Sequence, residues 1–125
     1  MLTPRNSYRT VALLSLSASL LFGTTEAIAH AQLVNSEPKA NASGAAPQTI
    51  TLHFDDELVP KVSLFKLTDI DGKPVAVTAV DTKDSKALAA TPGKPLAPGL
   101  YTVSWTAASQ DDGHKMTGKF SFTVK

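Results

Sequence analysis

Asp111-Asp112-Gly113-His114 sets a carboxylate and an imidazole two residues apart on a turn loosened by Gly113, so Asp112 and His114 can aim at one point. The spacing D-x-H is common by chance, and two ligand atoms do not make a metal site. The chain has 3 histidines, so further imidazole donors can come only from His30 or His53. The lack of cysteine excludes a disulfide scaffold, a CxxC redox site and any thiolate-ligated metal.

His30 follows Ala27-Ile28-Ala29, which has the A-x-A form of a leader cleavage site. Arg5 and Arg9 with no acid, then an apolar run over 11–22 interrupted only by serine, complete the pattern of a secretory signal peptide over 1–29. The apolar run falls short of the roughly 20 residues a spanning helix needs, which argues against an uncleaved anchor. Cleavage between Ala29 and His30 makes His30 the first residue of a mature chain, 30–125. Ala29-His30-Ala31 is a second A-x-A match, and cutting there would leave Gln32 first. The pattern alone leaves both cuts open.

The first cut has a chemical consequence. An N-terminal His30 offers its α-amine and its imidazole Nδ1, which together close a chelate ring. With His114 and the Asp112 carboxylate the set is three nitrogens and one oxygen. Tetragonal N,O coordination is the preference of Cu(II), which also heads the divalent affinity order. The nearest soft donor is the single Met116, so nothing in this set favours Cu(I). The α-amine, with an ordinary pKa of about 7.7–8.0, must be deprotonated to bind, so binding releases protons and weakens as pH falls. Asp55-Asp56-Glu57 is a second acidic cluster. A solvated turn explains it, and the alternative is that Asp56 adds a distal carboxylate or a hydrogen bond to the metal site. His53, between Leu52 and Phe54, faces away from both and reads as a strand histidine without a ligand role. Asp111 points away from Asp112 and reads as solvent-exposed.

The elements that must position these residues are strands. A chain of 125 residues with 42% apolar content suits a single packed domain. Period-two alternation marks strands over 49–54, 62–67, 99–105 and 118–124, with shorter ones over 31–35, 74–80 and 87–91. Loops rich in Pro, Gly, Ser and Asn separate them, over 36–47 and 92–98 above all. No stretch after residue 29 carries a capped helical period. About seven short strands separated by turn signals imply an all-β fold, a seven-stranded antiparallel Greek-key β-sandwich or barrel. Trp105 reads as a core residue between the sheets.

Charge and motifs narrow the function. Removing 1–29 takes away Arg5, Arg9 and Glu26 and leaves ten lysines against ten acids, so no basic stripe survives and no nucleic-acid partner is expected. There is no G-x-S-x-G elbow, no phosphate loop before a helix and no H-E-x-x-H, so the residues do not point to an enzyme.

Leu33-Val34-Asn35-Ser36-Glu37-Pro38, Gly44-Ala45-Ala46-Pro47, Ile50-Thr51-Leu52-His53-Phe54 with the acidic turn after it, and Leu100-Tyr101-Thr102-Val103-Ser104-Trp105 occur in this order. They are followed by Ser109, Asp112-Gly113-His114, Thr117-Gly118 and Phe120-Ser121-Phe122-Thr123-Val124. As a set these resemble the CopC family of periplasmic copper-binding proteins over nearly the whole of 30–125. The resemblance implies a cupredoxin-like, seven-stranded β-barrel or sandwich. It implies one Cu(II) per mature chain, held by His30, Asp112 and His114, with Asp56 at the position of a carboxylate placed near the site in some members. It also implies a periplasmic location and a CopD-like inner-membrane partner, with a monomer as the expected state. Two departures stand out. Some members have a Met-rich Cu(I) segment, but 62–80 here contains neither Met nor His, which points to a Cu(II)-only member. Lys115 stands where many members have Pro, which leaves the loop less rigid. The expected function is a Cu(II) carrier or buffer in copper homeostasis or resistance. The alternatives are a histidine-brace redox enzyme of the polysaccharide monooxygenase type and a metal-free Ig-like adhesion module.

Overall fold

The computed structural model describes residues 31–125; the leader expected over 1–29 and His30 lie outside the described residues. Nine strands and no helix are present among the described residues. They are β1 (Leu33–Glu37), β2 (Ser43–Gly44), β3 (Ile50–Phe54), β4 (Leu64–Thr68), β5 (Pro74–Val75), β6 (Val77–Val80), β7 (Ala87–Pro92), β8 (Gly99–Ala108) and β9 (Lys115–Val124). A four-stranded sheet in the order β1-β3-β7-β6 packs on a five-stranded sheet in the order β2-β9-β8-β4-β5. The architecture is the expected all-β Greek-key sandwich.

Alternation in the sequence becomes the core. On β3, Ile50, Leu52 and Phe54 are buried while Thr51 and His53 are half-exposed. On β8, Tyr101, Val103, Trp105 and Ala107 point inward. Phe65 and Leu67 from β4 and Phe122 and Val124 from β9 complete the space between the sheets. Trp105 lies where the alternation puts it, with Phe54 edge-on at a ring-centroid distance of 5.1 Å. Room for the indole comes from Gly118, its partner across β8 and β9. A Cβ built there would lie 2.6 Å from Trp105 Cε2. Tyr101 stacks on Phe122, and its hydroxyl donates to the Ala97 carbonyl at 2.7 Å, tying the proline-rich crossover to the start of β8.

Three details depart from the expectation of seven antiparallel strands. The run 74–80 is not one strand. It changes sheets at Ala76, with β5 pairing β4 and β6 pairing β7, while the Ala76 carbonyl accepts from Gly93 N at 2.9 Å. The segment 36–47 is not wholly loop: β1 runs on to Glu37, and Ser43–Gly44 pairs with β9 in the one parallel pairing among the described residues. Two residues cannot display a period, so β2 was invisible to pattern. The hairpin strands are also longer than the alternation suggested, with β8 ending at Ala108 and β9 starting at Lys115. The loop carrying Asp112 and His114 is therefore only 109–114, at the tip of the longest hairpin.

Candidate metal centre

The loop 109–114 is shaped by its own backbone and by Asp112. Ser109 N donates to the His114 carbonyl at 3.1 Å, and Gly113 N donates to the Ser109 carbonyl at 2.8 Å. Gly113 takes a positive φ of 68°, the left-handed conformation that glycine adopts without strain. Asp112 Oδ1 accepts from His114 N at 2.9 Å, an Asx-type turn that fixes the two candidate ligands relative to each other. Asp111, Asp112 and His114 are all exposed at the end of the sandwich. Asp111 is thus solvent-facing, as its neighbour's geometry suggested.

Two other segments meet this loop. The connection after β3 runs alongside its root. Leu58 bridges Ser109, Gln110 N donates to the Glu57 carbonyl at 2.9 Å, and Val59 N donates to the Ala108 carbonyl at 2.9 Å. Within that connection Asp56 reaches back, and Ser109 Oγ donates to its Oδ2 at 2.6 Å. Glu57 N donates to Asp56 Oδ1 at 2.8 Å. The Ser109 hydrogen bond, then that of the Glu57 amide, hold the Asp56 carboxyl below the ordinary carboxylate value; burial opposes them, and the charge of Lys86 adds a still smaller lowering. The second segment is the start of the described chain. Gln32 N donates to Asp55 Oδ1 at 2.7 Å, and Asp55 N donates to the Gln32 carbonyl at 3.0 Å. Ala31 before it is fully buried in the core.

Residues 31–32, 55–57 and 109–114 are therefore gathered at one end of the sandwich. That end carries the carboxylates of Asp55, Asp56, Glu57, Asp111 and Asp112, a concentration that attracts cations. Among the described residues alone, no group of three or more His, Cys, Asp or Glu side chains is placed to hold a metal ion. A complete set would need a further donor, and His30, outside the described residues, is two positions before the anchored Gln32. The donors that are present, imidazole and carboxylate, suit a borderline divalent ion such as Cu(II).

His53 and Met116 are not part of this group. His53 projects from β3 beside Asn35 and Ala87, with Nδ1 3.9 Å from Asp84 Oδ2. Met116, paired with Ala107, is half-buried and packs against the core. Sequence reasoning gave Ser109 no chemical role. A single serine in an Ala-Ala-Ser run carries no signal, and its partner is 53 positions away. The same holds for the Gln32–Asp55 link.

A two-sheet β-sandwich that presents a His/Asp hairpin loop beside its own first strand defines a class of small, cupredoxin-like β proteins. The chain belongs to the CopC family, whose domain model matches residues 33–125. It is 35% identical over 126 residues to the copper resistance protein C of Xanthomonas campestris pv. juglandis, covering 95% of this chain and 98% of that one. It is 38% identical over 132 residues to the protein of the same name from Pseudomonas syringae pv. tomato, with 100% of both chains covered. Among solved structures, PcoC from Escherichia coli, described as a methionine-rich copper resistance protein, superposes with a TM-score of 0.71 at 39% identity, covering 78% of this chain and 100% of that one. CopC from Methylosinus trichosporium OB3b gives 0.70 at 33% identity, covering 77% and 94%.

Proposed function

We propose that this chain is exported, loses residues 1–29, and as 30–125 binds one Cu(II) per molecule in the periplasm as a copper carrier or buffer. The ligands in this reading are the α-amine and imidazole Nδ1 of His30, the Asp112 carboxylate and the His114 imidazole. Asp56 stands beside them as a hydrogen-bonded carboxylate. The observation that carries the reading is the convergence of three sequence-distant segments. Gln32 is bonded to Asp55, Asp56 to Ser109, and Ser109 lies at the root of the loop bearing Asp112 and His114. A residue two positions before Gln32 is at most about 7 Å of chain from that anchor.

The burial of Ala31 supports the cut after Ala29. Cutting after Ala31 would remove a core residue together with His30. Kinship with copper resistance proteins supports copper as the cargo. The presence of only 2 methionines, Met1 and the half-buried Met116, supports a Cu(II)-only protein, in contrast to the methionine-rich PcoC. A carboxylate ligand favours Cu(II) over the Cu(I) state that reacts with oxygen, so carriage rather than catalysis is the reading the donor set supports. Handover to a CopD-like inner-membrane protein and a monomeric state belong to the same proposal.

The test is a Cu(II) titration of the mature chain with electron paramagnetic resonance, alongside N-terminal sequencing or intact mass of the exported protein. His30→Ala and His114→Ala should each weaken binding and change the spectrum. Wild-type binding by both variants would end the proposal.

A further inference from the structure

We propose that Ser109 is a positioning residue of the copper site, locking the hairpin loop that carries Asp112 and His114 to Asp56 and, through Asp55, to the incoming N-terminal strand. This rests on the copper reading above for its function, but the lock itself is a feature of the metal-free fold. Ser109 is fully buried, the most completely enclosed of the buried polar residues Ser36, Ser63 and Ser109. It follows Ala107 and Ala108, which fill the same core without polar atoms. A buried hydroxyl costs free energy unless it is bonded, so its presence calls for a partner. That partner is a carboxylate at 2.6 Å, within the short range of charge-assisted O–H···O⁻ bonds.

Every polar atom of Ser109 is committed to the site's architecture. Its N–H donates to the His114 carbonyl, its carbonyl accepts from Gly113 N, and its Oγ accepts from Asp111 N at 3.4 Å while donating to Asp56. The residue before it is fixed as well, since Ala108 N donates to the buried Ser63 Oγ at 3.0 Å. The linkage runs in one line: Gln32 to Asp55, Asp56 to Ser109, Ser109 to Gly113 and His114. In the copper reading two ligands come from the loop and two from the start of the mature chain, and this line of bonds connects the two segments. Partners of this kind typically govern metal affinity by about 10–100-fold.

The experiment uses the mature chain, 30–125, as wild type, Ser109→Ala, Asp56→Ala and the double variant, with His114→Ala as the control for the copper site. In the metal-free state, amide spectra of both single variants should show Gly113 and His114 shifted or broadened, with Gln32 and Asp55 also disturbed. With copper, Ser109→Ala should bind about 10–100-fold more weakly with an altered, heterogeneous resonance signature. The double variant should bind no more weakly than the weaker single one. A folded Ser109→Ala protein with a lowered melting temperature but wild-type affinity and signature would overturn the proposal, because the hydroxyl would then serve packing alone. Additive losses in the double variant would overturn it too. If Ser109→Ala does not fold, Asp56→Ala, altered at a partly exposed position, carries the test. Unmoved Gly113 and His114 amides in that variant then overturn the lock. Wild-type binding by His114→Ala would instead sink the copper site, leaving the metal-free spectra to decide the lock.

Discussion

At the scale of single residues, Asp56 shows how hydrogen bonds favour the charged form of a carboxylate. Its Oδ2 accepts from a buried hydroxyl and its Oδ1 from a backbone amide, and both bonds favour the ionised form. The folded-state value is lowered from 3.8, so the stabilisation is complete above the unfolded value and is lost as pH falls through the folded one. Asp56→Asn removes this dependence. The stability gap between wild type and Asp56→Asn should therefore narrow as pH is lowered below about 4, as read by urea denaturation of the metal-free protein at a series of pH values. Asp56 was legible in the sequence as a candidate, because an acidic triplet following a strand is visible. Its orientation was not, because the Ser109 hydroxyl that aims it comes from another sheet.

At the scale of elements, the β8–β9 hairpin carries both core residues and the loop of the candidate ligands Asp112 and His114. Its inward face holds Trp105 over Gly118, and the interlock needs a residue without a Cβ. Gly118→Ala should force the indole against Phe54 and cost about 1–3 kcal/mol, measurable as a fall in thermal or urea stability. The tip of the same hairpin depends on Gly113 for a different reason. Its surroundings are open, but its φ of 68° is unfavourable for a residue with a Cβ. Gly113→Ala should cost about 1–2 kcal/mol, and Gly113→Asn less, since Asn tolerates the left-handed region. Two glycines five positions apart thus do unlike work, one giving room and one giving conformation, and denaturation curves of the two alanine variants should be compared side by side. The alternation that marked 99–105 and 118–124 located this hairpin. The three further residues on each arm, Thr106 to Ala108 and Lys115 to Thr117, were missed because Ala and Lys carry little strand preference. Pairing with the opposite arm extends them.

At the scale of the whole molecule, the sandwich gathers the residues before its first strand, the connection after β3 and the root of its last hairpin at one end. Ala31 in the core and the Gln32–Asp55 pair make residues 31 and 32 part of the folded domain rather than a tail. A chain begun at Gln32 should therefore lose in two ways. It should melt at a lower temperature than the chain begun at His30, because a buried residue is gone. It should also bind Cu(II) far more weakly, because the amine and imidazole of His30 are absent. Calorimetric melting of the two metal-free proteins and parallel copper titrations check both outcomes. Equal affinity for the two chains would count against any role for His30.

What the sequence determined by itself was whatever repeats locally. Side chains on a strand alternate with period two, so Ile50, Leu52, Phe54, Val103 and Trp105 announced both their strands and their burial. Asp112, Gly113 and His114 are close along the chain, so their turn was also readable. What only the tertiary structure decided was the meeting of distant segments. The change of sheet at Ala76, the parallel contact of Ser43–Gly44 with β9, and the bonds from Gln32 to Asp55 and from Ser109 to Asp56 have no local signature. Each depends on strand register and on how two sheets stack, and those are set by the core as a whole. The candidate ligands Asp112 and His114 are written in the residues, and the hydrogen bonds that tie the root of their loop to Asp56 are supplied by the packing of the sandwich.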